Sequence, residues 1–271
     1  GANIGTTITA QLIAFKITHY ALPAIGIGAG FKLFAKNKKW SYAGEILLGF
    51  GLLFFGLSVM KAAFDPLKAS EEFRQLFMII GDNHLYGVLI GAILTIVVQS
   101  STATIGITIA LATTGAIPLH TAIALVMGEN IGTTITAQFA AIGGTIPARR
   151  AAMAHSVFNV LGVFIIISFF STYVGLIDKF VPGNAAFANA DGNFPYIAAH
   201  IAMAHTLFNV TATLVMLPFL NHLAKLVTRM VPEKEGAAKA GFKYIGAPGT
   251  IPVAMGITMV FEELKRMQGR V

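Results

Sequence analysis

Residues 95–139 read TIVVQSSTATIGITIALATTGAIPLHTAIALVMGENIGTTITAQF. Apolar runs are interrupted twice in this stretch, once at Gln99-Ser100-Ser101-Thr102 and once at Gly128-Glu129-Asn130-Ile131-Gly132-Thr133-Thr134. Polar residues that faced lipid at hydrocarbon depth would leave dipoles without partners. Such interruptions persist where they face protein or a water-lined cavity. Membrane transport proteins place their ion and substrate sites at interruptions of this kind. The stretch therefore reads as one half of a binding site inside a membrane, and it sets the fold class for the rest of the chain.

Composition agrees. Of the 271 residues, 11% are charged and 55% hydrophobic, and the mean hydropathy is +0.73. A soluble domain carries about 25% charged residues. The net charge of +7 does not indicate nucleic acid, because no basic stripe is interleaved with aromatics. The bases sit instead in short gaps between apolar runs, as expected for loops on the cytoplasmic side of a membrane. With no cysteine, disulfides and thiolate metal sites are excluded.

The second interruption occurs twice. Residues 1–12 read GANIGTTITAQL and residues 128–139 read GENIGTTITAQF, ten of twelve positions identical at an offset of 127. A polar dodecamer recurring in two halves of an apolar chain marks an internal repeat and points to a transport site. The competing reading is a duplicated Gly/Thr packing motif between helices. The chain opens with Gly1 rather than Met, directly on the first copy, and is expected to be part of a longer protein.

In chain order, apolar runs are expected over 21–35, 42–60, 85–98, 102–117, 121–142, 151–171 and 195–220. About 20 residues cross a bilayer, so 85–98 and 102–117 are too short to cross singly. Joined at Gln99–Thr102, they suit a re-entrant hairpin with its tip inside the protein. Residues 61–84, with three bases and four acids, suit a surface helix. Placing Lys36–Lys39, Arg149-Arg150, Lys225 and Arg229 in the cytoplasm puts 61–84 and 172–194 outside. The two GxNIGTT segments then cross in opposite directions. The expected fold is all-α: a polytopic membrane protein with inverted-topology repeats, broken helices and a re-entrant hairpin. Residues 1–84 form the end of the first repeat, 85–220 the second repeat, and 221–271 a cytoplasmic tail.

The candidate site residues offer oxygen and N–H groups. Gln99, Ser100, Ser101 and Thr102 supply an amide and three hydroxyls, which donate to an oxyanion or coordinate a cation. Asn3, Thr6 and Thr7, and their counterparts Asn130, Thr133 and Thr134, add carbonyls and hydroxyls. Gly5 and Gly132 permit close backbone approach. Free N–H groups at half-helix N-termini favour an anion. Alternatively, the Q-S-S hydroxyls bond back to helix carbonyls. Glu129 replaces Ala2 of the first copy. A carboxylate near the midplane is costly, so it is functional or paired, as a cation ligand or as the balance for a nearby base.

A second pair, AAMAHSVFNV (151–160) and IAMAHTLFNV (201–210), places His155/Asn159 and His205/Asn209 four residues apart on helix faces. Metal ligation and proton relay are the functional readings. The favoured reading is a neutral histidine bonded to asparagine at a helix interface, since no acid or thiol recurs with them.

The Q-S-S run followed by G-x-N-I-G-T-T, with a second copy of the latter, resembles the type II sodium/phosphate cotransporter family, most closely its bacterial branch. The resemblance covers residues 1–220. It implies two inverted repeats, each with a Q-S-S hairpin tip, that hold inorganic phosphate and sodium together. Carried over, Gln99, Ser100, Ser101 and Thr102 match the second tip, with threonine where the family usually has a third serine. Asn3, Gly5, Thr6 and Thr7, with Asn130, Gly132, Thr133 and Thr134, match the paired motifs. A first Q-S-S triplet is expected upstream of Gly1. Residues 242–267 suit a soluble amphipathic helix, and in bacterial relatives the region leads into a PhoU-like domain.

The resulting expectation is a sodium-coupled inorganic phosphate symporter in the bacterial inner membrane. It would need no cofactor other than sodium as coupling ion, and its partners would be phosphate, sodium and the lipid bilayer, with no nucleic acid. Another oxyanion, sulfate or a carboxylate, is the alternative substrate. An intramembrane serine hydrolase using Ser100 or Ser101 with His155 or His205 is disfavoured: the chain has no G-x-S-x-G nucleophile elbow, and hydrolysis leaves the repeated NIGTT unexplained.

Overall fold

The structure, a computed structural model, describes residues 2–14, 20–64, 83–232, 260–262 and 264–265. Every regular element among them is a helix. They are α1 (Ala2–Ala14), α2 (Ala21–Phe34), α3 (Lys38–Phe64), α4 (His84–Val98) and α5 (Ser101–Thr113). Then follow α6 (Leu119–Ala140), α7 (Ile146–Ser168), α8 (Phe170–Phe180), α9 (Ile197–Met216), a 3₁₀ turn (Leu217–Phe219) and α10 (Leu220–Met230). The segments Lys38–Met60, Ile146–Ser168 and Ile197–Met230 are long and apolar enough to cross a membrane. Their outer surface is apolar too: Phe164 is 69% exposed, Ile46 and Leu214 65%. A water-soluble chain would bury such side chains. The all-α membrane class expected from the sequence is what the structure has.

Residues 1–227 form one compact unit and 228–271 a second. In the second, residues 260–262 and 264–265 are helical, and Lys265 pairs with Glu262 one turn away at 3.3 Å. The expected surface helix at 61–84 and most of the expected tail helix at 242–267 lie outside the described residues.

At the centre of the first unit is α6, in which every residue from Thr121 to Asn130 is buried. Phe208, Ile201, Ile109, Ile123 and Met127 fill the space around it with almost no exposure. Small residues let α4 lie directly on α6. A Cβ added at Gly128 would come within 1.9 Å of the Val88 carbonyl oxygen, and one at Gly91 within 2.1 Å of that of Leu125. Such close approach lets dispersion hold helices together where lipid removes the hydrophobic driving force.

Between α4 and α5 the chain reverses in two residues. Gln99 adopts the left-handed conformation (φ 56°) and ends α4. Ser100 is extended and caps α5, its Oγ accepting from the Ala103 N–H at 3.3 Å. Just below the turn the arms meet at Thr95 Oγ1 and Thr104 Oγ1, 3.3 Å apart. With 15 and 13 residues, the arms are about 22 and 20 Å long, short of the ~30 Å hydrocarbon core. The hairpin read from the sequence is formed.

The second interruption departs from expectation. No break occurs at Gly128–Thr134, and α6 runs through unbroken. Three of its polar side chains bond back to their own helix. Asn130 Nδ2 donates to the Val126 carbonyl at 2.9 Å, Thr133 Oγ1 to that of Glu129 at 2.7 Å and Thr134 Oγ1 to that of Ile131 at 2.8 Å. The glycines bring α4 close and do not break the helix. The first copy is likewise continuous in α1, where Thr6 and Thr7 bond back to Asn3 and Ile4. Two boundaries also shift. Thr145 caps α7, so Arg149 and Arg150 lie within the helix and not in a loop, and α8 takes up the start of the expected loop at 172–194.

Candidate functional site

Both copies of the repeated motif face one small cavity of about 70 Å³. From α1 it takes Asn3 and Thr6, from the hairpin Ser101 and Thr102, and from α6 Glu129, Asn130 and Thr133. His155 and Asn159 of α7 and His205 of α9 complete the polar wall. A water molecule needs about 10–15 Å³ measured in this way, so the space suits a few water-sized groups. Glu129 is ten residues from the start of α6, which is about 15 Å along its axis, or about half of a hydrocarbon core.

Ser101 and Thr102 are the first two residues of α5. Their backbone N–H groups precede the first intrahelical acceptor and sit at the positive end of the helix dipole, an arrangement that favours an anion. On the other wall, Glu129 is 3% exposed and accepts a 2.6 Å hydrogen bond from Thr108 Oγ1. That one bond leaves most of the acceptor capacity of a carboxylate free. A buried carboxylate is retained only with a proton or a cation beside it. Donors for an anion and an acid for a cation thus line the same space.

The two repeated motifs are tied to each other by a reciprocal set of hydrogen bonds. Asn3 Nδ2 donates to Asn159 Oδ1 at 2.9 Å, and Asn209 Nδ2 donates to Asn130 Oδ1 at 3.3 Å. Gln11 Nε2 donates to Thr206 Oγ1 at 2.8 Å, and Gln138 Nε2 to Ser156 Oγ at 2.7 Å. Exchanging α1 with α6 and α7 with α9 maps each residue pair onto its counterpart, with donor and acceptor reversed in the asparagine pair, since Asn3 and Gln11 match Asn130 and Gln138 while Ser156 and Asn159 match Thr206 and Asn209. The repeat is therefore built into the packing, and each H-[ST]-x-F-N helix braces both GxNIGTT helices.

Of the residues singled out in the sequence, Asn3, Thr6, Ser101, Thr102, Glu129, Asn130 and Thr133 meet at the cavity. The others do not line it. Gln99 makes the left-handed turn and Ser100 caps α5. Thr7 and Thr134 bond their own helices. A Cβ at Gly132 would press on the Ala92 carbonyl at 2.5 Å, whereas Gly5 has open space beside it. For three further residues that line the cavity, His155, Asn159 and His205, the sequence favours an interface role over metal ligation or proton relay. Their recurrence in the 151–160 and 201–210 motifs was the available signal. The interface bonds exist, with Asn159 and Asn209 each donating to the histidine carbonyl four residues back, but the rings also reach the cavity.

The fold and the cavity together define an all-α membrane protein that holds a small polar cavity inside an apolar helical shell. The chain belongs to the Na+/Pi-cotransporter family, which matches residues 1–62 and 67–181. The resemblance read from Q-S-S and GxNIGTT is thereby borne out. Among its relatives, YqeW of Bacillus subtilis, whose name assigns no function, is 33% identical over 185 residues, 68% of this chain and 60% of that protein. YjbB of Escherichia coli, whose name provisionally assigns inorganic phosphate export, is 29% identical over 169 residues, 62% of this chain and 31% of that protein. The human sodium-dependent phosphate transport protein 2B is 30% identical over 161 residues, 55% of this chain and 23% of that protein. The chain thus spans less than two thirds of the length of each. No solved structure matches.

Proposed function

We propose that this chain belongs to a sodium-coupled inorganic phosphate symporter of a bacterial plasma membrane, organised as two inverted-topology repeats. The observation that carries the reading is the shared cavity, where both motif copies face the N-terminus of α5 and the Glu129 carboxylate. A multiply charged oxyanion enters low dielectric only with its charge offset. Backbone N–H groups at Ser101 and Thr102 would bind phosphate, with the hydroxyls of Ser101, Thr102, Thr6 and Thr133 around it. Glu129 and the side-chain carbonyls of Asn3 and Asn130 would hold sodium as hard oxygen ligands. The inward sodium gradient then drives uptake, and rocking of the repeats exposes the site to each side in turn. Sodium is the coupling ion and no other cofactor is required.

Relatives named for inorganic phosphate export favour a second reading, in which the same site runs outward. Labelled phosphate flux in vesicles of the full-length parent separates the two. A sodium gradient directed inward should drive accumulation, and choline in its place should abolish it. Phosphate leaving loaded vesicles against that gradient would establish export. Unlabelled sulfate or succinate competing as well as phosphate would reassign the substrate.

A further inference from the structure

The cavity wall holds an unexplained asymmetry. In the α1–α7 half, His155 Nε2 and Asn3 Oδ1 are 3.0 Å apart. With the amide oriented so that Asn3 Nδ2 donates to Asn159, Asn3 Oδ1 is an acceptor and Nε2 carries the proton. His155 is thus tied to the first motif. In the α6–α9 half the corresponding bond is missing. Asn130 Oδ1 accepts from Asn209, and Nδ1 of His205 is buried without a hydrogen-bond partner among the described residues. His205 is only 7% exposed, yet it lines the cavity. Leaving a buried polar group unpaired is costly, so a ring kept in that position is matched to something that enters.

The cavity chemistry identifies what enters. Among the described residues lining it there is no lysine or arginine, so its histidines are the only ionisable bases able to offer N–H groups to an anion. One of them, His155, is occupied by Asn3. We propose that His205 is a substrate-binding residue, its ring donating an N–H to the tetrahedral oxyanion, while His155 is the counterpart held off the anion by Asn3. The assignment rests on the oxyanion-transport reading and adds to it a ligand from a helix outside both GxNIGTT motifs. It also gives the two histidines different roles, which a shared structural role would not.

Protection of the native rings tests this without substitution. The purified full-length parent is treated with diethyl pyrocarbonate in sodium, with and without inorganic phosphate, and modified histidines are mapped by mass spectrometry. Phosphate should protect His205 and leave the rate at exposed His222 unchanged. His205 modified equally in both conditions, or unreactive in both while His222 reacts, overturns the proposal. Uptake by variants supplies the second measurement. His205→Ala should raise the KM for phosphate about tenfold or more, the loss of one charge-assisted bond. His205→Gln, which keeps an N–H donor, should recover to within about threefold, and His155→Ala should change KM less than His205→Ala. Equal KM values for wild type and His205→Ala at equal membrane insertion would also overturn it. A parent that binds no phosphate at all overturns the transport reading itself, and this proposal with it.

Discussion

Asn3 and Asn159 lie 156 residues apart in sequence and are joined by an amide–amide hydrogen bond of 2.9 Å. The same Asn3 side chain holds His155 through its oxygen, so one residue of the first motif fixes two positions on α7. Truncating it leaves Asn159, 1% exposed, with an unmatched acceptor. Asn3→Ala should therefore lower stability by about 1–3 kcal/mol. A double-mutant cycle with Asn159→Ala should give a coupling of about 0.5–3 kcal/mol, read from thermal unfolding in detergent. Additive effects would mean that the bond does not tie α1 to α7.

The contact of α4 with α6 should be intolerant of a single methyl group. Gly128→Ala and Gly91→Ala each drive a Cβ into a carbonyl of the facing helix. Overpacking of this kind costs about 1–3 kcal/mol, occasionally more, and here it displaces the hairpin that carries Ser101. Gly26→Ala and Gly56→Ala, with nothing within 4 Å, are the controls and should fold and insert as the wild type does. Equal thermal stability across all four variants would contradict the packing.

Gln99 should matter through its backbone. At φ 56° a non-glycine residue carries about 1–2 kcal/mol of strain, and β-branching adds to it. Gln99→Gly should preserve or raise stability, and Gln99→Ile should lower it. Thermal unfolding of the two variants decides the matter, and a more stable isoleucine variant would show that the turn is not left-handed.

Glu129→Gln keeps an oxygen for Thr108 while removing the charge. If the carboxylate serves sodium, the variant should insert normally and need a higher sodium concentration for half-maximal phosphate uptake. An unchanged sodium dependence would assign Glu129 to packing alone.

Orientation is testable with single cysteines on a background that has none. A cysteine at Asn184 should react with an impermeant thiol reagent applied outside whole cells, and one at Lys38 only after permeabilisation. The opposite pattern would invert the topology.

Much of this was legible in the sequence because the decisive signals are local. Gln99-Ser100 separates two runs too short to cross alone, and a capping serine after a turn residue marks the hairpin. The break expected at Gly128–Thr134 was misread for a physical reason. Hydropathy registers hydroxyls and amides as polar, but Thr133, Thr134 and Asn130 spend that polarity on carbonyls of their own helix. Glycine there signals close approach to α4 and not helix termination. The histidines show the other limit. His155 meets Asn3 across 152 residues of sequence, and nothing in the local 151–160 motif encodes that meeting.

The central claim is that the cavity shared by the two motif copies binds phosphate and sodium together, and equilibrium binding tests it most directly. Labelled phosphate is titrated onto the purified full-length parent in sodium and in choline, alongside Ser101→Ala. Sodium should be required for saturable binding, and Ser101→Ala should weaken it by roughly 10- to 150-fold, as one charge-assisted hydrogen bond of about 1.5–3 kcal/mol implies. Binding of equal affinity in choline, or unchanged affinity in folded Ser101→Ala, would contradict the account.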